Sequence, residues 1–219
     1  MKVGTDAVLL GSYADSGKSG KILDIGTGSG VIALMLAQRS EAVIDAVEID
    51  PESARQAGEN FKNSPWKTRM NIICSSFRDF FMIHSIKYNV IVCNPPFFFN
   101  SLKSPYPRKS LAKHNDTLGN EELLTGVKKL LAEEGLLYVI LPYMESQIFS
   151  EKAMAEGLFL NREMLIQPKP GKPVNRVILV FGLSKKEFYS DHITIRLENG
   201  NYSDDYKKLT CYYYLDFKN

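Results

Sequence analysis

Two short motifs about seventy residues apart hold the residues whose types and spacing could do chemistry. The first, residues 24–30, reads Asp-Ile-Gly-Thr-Gly-Ser-Gly, and the second, residues 94–97, reads Asn-Pro-Pro-Phe. Each follows directly on an apolar run that is typical of a buried strand. Because the carboxyl ends of parallel strands meet at one edge of a sheet, we expect both motifs to face the same crevice.

The glycine spacing favours S-adenosylmethionine (AdoMet) as the ligand of the first motif. A dinucleotide-binding turn needs G-x-G-x-x-G, whereas here Gly30 comes one residue early and Val31 stands in the last glycine position. In this interpretation the glycines let the backbone approach the ligand, and helix N–H groups point at its methionine carboxylate. Glu48, at the end of the second predicted strand, accepts both ribose hydroxyls of the ligand. The alternative is a tight turn with a solvent-exposed acid. The predicted cofactor contacts are Asp24, Gly26, Thr27, Gly28, Gly30, Glu48, Ile49 and Asn94.

The second motif has the composition of a clamp for a planar amino group. The side-chain oxygen of Asn94 and the carbonyl of Pro95 can each accept one N–H, which draws the amine nitrogen toward tetrahedral geometry and aims its lone pair. Pro96 stiffens the loop, and Phe97 offers a face for the target ring to stack on. Catalysis would then rest on orientation and fixed dipoles, without a metal or a covalent intermediate. The alternative is a strand-terminating turn with an aromatic core plug.

Composition excludes several other classes of protein. The chain has 219 residues and a net charge of +2, too small to indicate a nucleic-acid binder by itself. Its three cysteines show no C-x-x-C spacing and its three histidines are scattered, which predicts a reduced, cytoplasmic protein without a metal. We expect no membrane span and no signal peptide. Gly17-Lys18-Ser19 is not a P-loop, because Ser12 occupies the required glycine position.

The alternation of strand and helix signals predicts an α/β fold. We expect a doubly wound, Rossmann-like and mostly parallel sheet, closed at one edge by an antiparallel C-terminal hairpin, with residues 1–219 forming one domain. The hairpin follows from the loop at residues 168–173, which is too short for a crossover helix. The predicted helices are 5–13, 31–39, 51–62, 120–133 and 144–156, and the predicted strands are 21–25, 42–49, 71–74, 88–93, 136–141, 159–167 and 176–183. We expect Gly135 to end the helix at 120–133.

Segments along essentially the whole chain resemble the bacterial tRNA1(Val) (adenine-37-N6)-methyltransferases. They are residues 2–11, 22–30, 46–50, 64–66, 94–98, 168–173, 176–177 and 197–200. The resemblance implies a class I methyltransferase that uses AdoMet to methylate N6 of adenine 37 in the tRNA anticodon loop. It also implies that Gly4, Thr5 and Asp6 lie against the methionine end of AdoMet and that Phe77 packs on its adenine.

The chain departs from this family's pattern in two places. Relatives usually carry a further stretch before residues 2–6, so we expect any substrate or lid contacts of that stretch to be missing from this sequence. Many relatives also have an acid after the third strand that bonds the adenine amino group of AdoMet. Here Ser75 and Ser76 stand at that point, and whether Asp79 substitutes for the acid is left open.

Two basic segments are candidates for binding the phosphates of an RNA substrate. The alternative is that both are solvated basic loops. The interpretation that we favour is an N6-adenine methyltransferase that acts on tRNA. Methylation of a ribosomal RNA guanine N2 or of a protein glutamine amide stays open, because both present a planar amine, and a non-catalytic module that binds RNA or AdoMet is a third possibility. The candidate RNA contacts are Lys103, Arg108, Lys109 and Lys113 after the clamp and Lys169 and Lys172 in the hairpin loop.

Overall fold

The structure, a computed structural model, describes residues 4–18, 20–95 and 118–217. Its strands form one eight-stranded sheet in the order β3-β2-β1-β4-β5-β7-β6-β8. The strands are β1 Lys21–Ile25, β2 Val43–Glu48, β3 Met70–Cys74, β4 Tyr88–Cys93, β5 Leu131–Pro142, β6 Phe159–Gln167, β7 Arg176–Gly182 and β8 Tyr189–Thr194. The helices are α1 Thr5–Tyr13, α2 Val31–Arg39, α3 Pro51–Lys62, α4 Phe77–Ile83, α5 Asn120–Leu130, α6 Tyr143–Ala155 and α7 Asp204–Thr210.

Helices cover both faces of the sheet, which is why its central strands are apolar on both sides. One core cluster joins α1, α2, α3 and α7 to one face, and a second joins α4, α5 and α6 to the other. Strands β1 to β5 pair in parallel, so their carboxyl ends lie at one edge of the sheet. The predicted doubly wound α/β fold is confirmed. Among the described residues, none of the helices has the length and apolar character needed to cross a bilayer.

The C-terminal hairpin is antiparallel as predicted, but its position at the sheet edge was wrong. β7 pairs antiparallel with both β5 and β6, and β8 then pairs in parallel with the outer side of β6. β8 went unpredicted because it is a mostly polar edge strand, in which Ile193 is the buried hydrophobic residue. Helices α4 and α7 were also missed.

The predicted end of α5 was wrong as well, because the helix ends at Leu130 and β5 begins at once at Leu131. Gly135 is therefore inside a strand and is not a helix cap. The register with β4 shifts near this point, and an added Cβ at Gly135 would lie 2.7 Å from the backbone oxygen of Tyr88. The glycine thus marks a close approach of two backbones at an irregularity in the sheet.

Helix α5 packs tightly on α4 because residue 126 is glycine. An added Cβ at Gly126 would lie 2.5 Å from Cδ1 of Phe81 and would also collide with the ring of Phe77. Both rings are buried and contact each other edge to face, with centroids 5.3 Å apart. The missing side chain in α5 therefore sets where the first turn of α4 can lie.

We expect Gly126→Ala to lower the free energy of unfolding by about 1–3 kcal/mol, the scale of overpacking a well-packed core. Gly11→Ala in α1 is the matched control, since its added methyl meets the flexible end of Met35, with Sδ at 2.7 Å. That variant should lose less stability, because alanine also favours the helix. Urea denaturation of both variants measures the difference, and equal losses at the two sites would contradict this packing account.

Candidate active site

A cavity of about 320 Å³ opens at the carboxyl ends of the central strands. After β1 the chain crosses over one face in α2, while the next helix described after β4, α5, packs on the other face. The connections of these neighbouring strands therefore part and leave a crevice, the usual ligand site of doubly wound sheets. The cavity brings together five of the predicted residues, namely Gly26, Glu48, Ile49, Phe77 and Pro95.

Glu48, the last residue of β2, is held in one orientation by two backbone groups. Its Oε2 accepts a hydrogen bond from the N–H of Gly28 at 2.8 Å, and its Oε1 accepts one from the N–H of Asp50 at 3.0 Å. The residue is 9% exposed and lines the cavity. Each carboxylate oxygen keeps further acceptor capacity, so the group can still receive a pair of hydroxyl donors from the cavity.

The glycine turn is built to hold the strands together at this point. Gly26, Gly28 and Gly30 have φ of 67°, 58° and 83°, which L side chains adopt rarely. The N–H groups of Gly26 and Thr27 both donate to the carbonyl of Val47, at 2.9 and 3.1 Å, and the N–H of Gly30 donates to the Thr27 carbonyl. These amides are therefore engaged within the protein. Packing also favours glycine at position 30, because a Cβ there would lie 2.5 Å from Cε1 of Phe61 in α3.

Asp24 lies fully buried beneath the turn with one oxygen left over. Its Oδ2 accepts hydrogen bonds from the Thr27 hydroxyl at 2.6 Å and from the Ala33 N–H, at the start of α2, at 3.2 Å. Its Oδ1 has no partner among the residues that the structure describes. Burial raises the pKa of this carboxyl to about 6, and the charge of Glu48 adds to the rise, while the two hydrogen bonds oppose it. A nearby cation would relieve this cost.

Asn94 and Pro95 follow β4 directly, at the same edge as Glu48 and the glycine turn. Asn94 is half-buried, and Pro95 is buried and lines the cavity. Other residues predicted at this site fall beyond what can be described. Pro96 and Phe97 of the clamp, and the candidate RNA contacts Lys103, Arg108, Lys109 and Lys113, lie outside the described residues.

The remaining predicted residues are not part of the cavity lining. Gly4 caps the N-terminus of α1, and Thr5 and Asp6 form its first turn. Asp6 Oδ2 accepts a hydrogen bond from Arg176 Nε at 3.0 Å, which ties α1 to the first residue of β7. Lys169 and Lys172 are exposed in the turn between β6 and β7, which lies at the carboxyl edge because β6 runs parallel to β5.

Eight lining residues were not predicted as contacts: Ile25, Val47, Ser75, Ser76, Arg78, Cys93, Leu118 and Glu122. After β3, where many relatives have an acid, Ser76 caps helix α4. The Ser76 hydroxyl accepts the N–H of Asp79 at 3.0 Å and donates to Asp79 Oδ2 at 2.7 Å, so Asp79 is engaged in capping α4. The Ser-x-x-Asp spacing was the one sequence signal for this helix start, whereas Leu118 and Glu122 carry no local signal.

Comparisons with known proteins agree on one family. A family model described as methyltransferase small domain matches residues 2–161. The chain is 44% identical over 216 residues to the tRNA1(Val) (adenine(37)-N6)-methyltransferase of Bacteroides fragilis, covering 98% of this chain and 91% of that protein. A protein of the same name from Trichodesmium erythraeum is 40% identical over 220 residues, covering 99% of this chain and 92% of that protein.

Solved structures match the fold at low sequence identity. Atu636 of Agrobacterium tumefaciens, described as a predicted O-methyltransferase, has a TM-score of 0.71 at 18% identity, covering 94% of this chain and 96% of that chain. TrmK of M. capricolum, solved in complex with S-adenosyl-homocysteine, has a TM-score of 0.57 at 14% identity, covering 88% and 73%. Both likenesses support a methyltransferase fold.

The buried Asp24 makes a testable contribution to the pH dependence of stability. Its pKa of about 6 in the folded protein exceeds the ordinary value of 3.8. Between those values the folded state holds a proton that the unfolded state has lost, so this residue lowers the free energy of unfolding as the pH rises, by about 3 kcal/mol in total.

Asp24→Asn has no such proton, and we therefore expect its free energy of unfolding, taken relative to wild type, to rise by about that amount from roughly pH 4 to pH 7. Taking the difference cancels the titration of the other carboxyl groups. Urea denaturation across this range measures it, and a difference that does not change with pH would rule out the buried, costly charge.

Proposed function

The chain belongs to the methyltransferase small domain family and, within it, to the bacterial tRNA1(Val) (adenine(37)-N6)-methyltransferases, and on this premise we propose that it transfers the methyl group of AdoMet to N6 of adenine 37 in that tRNA. The observation that carries the proposal is the arrangement at one sheet edge. Glu48 ends β2 and Asn94 follows β4, the two strands that flank β1, and the glycine turn lies between them. The candidate cofactor-binding acid and the candidate amine-binding amide thus lie at one sheet edge.

The residues present fit the three parts of AdoMet. The apolar side chains of Ile49 and Phe77 in the cavity suit a flat adenine ring. The fixed oxygens of Glu48 suit the two hydroxyls of a ribose. The unpartnered Oδ1 of buried Asp24 suits a nearby ammonium group. When bound, AdoMet supplies an electrophilic methyl group on a sulfonium.

The work of the protein is then to prepare the amine. The exocyclic nitrogen of adenine is a poor nucleophile because its lone pair is delocalised into the ring. The Asn94 side-chain oxygen and the Pro95 carbonyl each accept one N–H from it, which favours the tetrahedral nitrogen that attack requires. These acceptors are fixed at the end of a buried strand, so little reorganisation is needed during the reaction.

An RNA substrate is supported by the charge at this edge. Lys169 and Lys172 are exposed in the β6–β7 turn, at the same sheet edge as the crevice, which supports them as candidate phosphate contacts. An anticodon-loop adenine is unpaired, so extracting it into the crevice costs less than opening a duplex. The four basic residues after the clamp are proposed as further phosphate contacts on the sequence alone, because they lie outside the described residues.

The test is to incubate the protein with labelled AdoMet and separate fractions of tRNA, ribosomal RNA and protein, and to identify the product by mass spectrometry. We expect N6-methyladenosine in tRNA. N2-methylguanosine in ribosomal RNA or methylglutamine in protein would replace this substrate by one of the other planar amines. No product in any fraction would favour a non-catalytic binding module.

Asn94→Ala in the same assay separates chemistry from binding. Loss of an oriented acceptor that matters most as the nitrogen rehybridises should slow single-turnover methylation by on the order of 100-fold or more. The affinity for AdoMet, measured by calorimetry, should change far less. A variant that kept a near-native single-turnover rate would refute the clamp.

A further inference from the structure

The first turns of α6 expose large apolar side chains that packing does not explain. Tyr143 is 44% exposed, Met144 86% and Ile148 58%, while Phe149 on the other side of the helix is buried in the core. Met144 and Ile148 are four residues apart and therefore share one helix face. We call these three exposed residues the α6 patch. Large apolar side chains exposed together at one end of a helix are candidates for a binding site.

The α6 patch lies at the same sheet edge as the crevice. Helix α6 begins directly after Pro142, the last residue of β5, which pairs with Arg176 at the start of β7. The N–H of Tyr143 donates to the carbonyl of Asn175 at 3.1 Å, in the same β6–β7 connection that carries Lys169 and Lys172. The patch is thus anchored to the base of the basic turn.

The start of α6 also projects beyond its neighbour on the same face. Lys152 in the third turn of α6 reaches Glu121 in the first turn of α5, with Nζ 3.3 Å from Oε1. Since α5 too begins at the carboxyl edge, the α6 residues before Lys152 extend past its start. From Tyr143 to Lys152 the rise is roughly 13 Å. The patch therefore lies beyond the start of α5, on the carboxyl side of the sheet.

Charge and side-chain type together indicate the occupant. Flat rings and thioethers next to lysines suit unstacked nucleobases on a phosphate backbone, the combination that proteins use for single-stranded RNA. The acid of the same turn, Glu145, is half-buried; burial raises the pKa of its carboxyl, and the charge of Arg176 opposes that rise and offsets part of the negative charge.

We propose that the ring of Tyr143, together with the other residues of the α6 patch, stacks against an unpaired base next to the adenine that enters the crevice. This inference rests on the proposed function, because it takes an RNA loop as the substrate. Extracting one base from a loop breaks its stacking on its neighbours, and the patch replaces the stacking that the neighbouring base loses. The α6 patch would thereby select loops whose flanking base is free to stack.

The experiment uses the full chain and fluorescently labelled anticodon stem-loops of the tRNA. Tyr143→Ala should weaken stem-loop binding about 5- to 100-fold, the range for loss of one base–aromatic stack, and Tyr143→Phe should retain it. Met154→Ala at the far end of α6 and Tyr189→Ala on β8 are matched controls, since these side chains are 58% and 56% exposed. Neither control should weaken binding.

A second set of stem-loops replaces each neighbour of the target adenine in turn by an abasic site. Wild type should lose affinity for one of them, and Tyr143→Ala should bind that RNA and the intact RNA alike. Equal losses in wild type and variant would overturn the stacking proposal. So would a shift of Tyr143→Ala to another oligomeric state on gel filtration with RNA binding unchanged, because the patch would then be a contact between copies.

Failure of the stacking proposal can be distinguished from failure of the proposed methyltransferase function. N6-methyladenosine formed in tRNA without coupling between Tyr143 and a flanking base rejects the stacking role and leaves the enzyme. Coupling without methyl transfer rejects the enzyme and leaves an RNA-binding surface.

Discussion

The two backbone hydrogen bonds that Glu48 accepts are the interaction on which the site depends. One comes from Gly28 in the turn after β1, and the other comes from Asp50 at the start of α3. The carboxylate thereby locks the glycine turn to the end of the neighbouring strand, while Val47 receives two more amides from the same turn. The strand order positions the second motif: β1 lies between β2 and β4, so Asn94 after β4 lies on the other side of the glycine turn from Glu48.

The same region carries a cost in stability. Asp24 is fully buried, and its Oδ1 has no hydrogen-bond partner among the described residues. The neighbouring Glu48 carries a charge of the same sign. A core selected for stability alone would hold an apolar residue there. Strain and unpaired charge of this kind are typical of sites that a ligand completes, since binding then stabilises the folded state.

The sequence predicted the elements whose signals are local. The bounds of Pro51–Lys62 and Tyr88–Cys93 were right, because Asp50 caps a helix with proline in its first turn and because β4 is almost wholly apolar. The edge strand β8 was missed since its burial depends on packing against β6 and not on its own pattern. The prediction that Gly135 ends a helix was wrong because glycine is favoured both after the last turn of a helix and at an irregularity in a sheet.

The residues of the candidate site that belong to sequence motifs could be predicted. Glu48, Gly26, Ile49, Phe77 and Pro95 come from four strand ends, and the fold brings them to one cavity. By contrast, Leu118 and Glu122 reach it from the start of α5, far from any motif, and only the tertiary packing assigns them. The α6 patch could not be predicted either, because the sequence of α6 has no distinct apolar face, and its exposed Tyr and Met cannot be told from core residues until the helix is placed.

Calorimetric titration of AdoMet into wild type and Glu48→Ala tests the central claim most directly. Removal of a carboxylate that accepts both ribose hydroxyls should weaken binding by about 1–3 kcal/mol, with NAD binding neither protein. Thermal unfolding of the variant without ligand checks that the turn is still folded. An unchanged AdoMet affinity in a folded variant would contradict the account, because the crevice beside β1 would then not be where the cofactor binds.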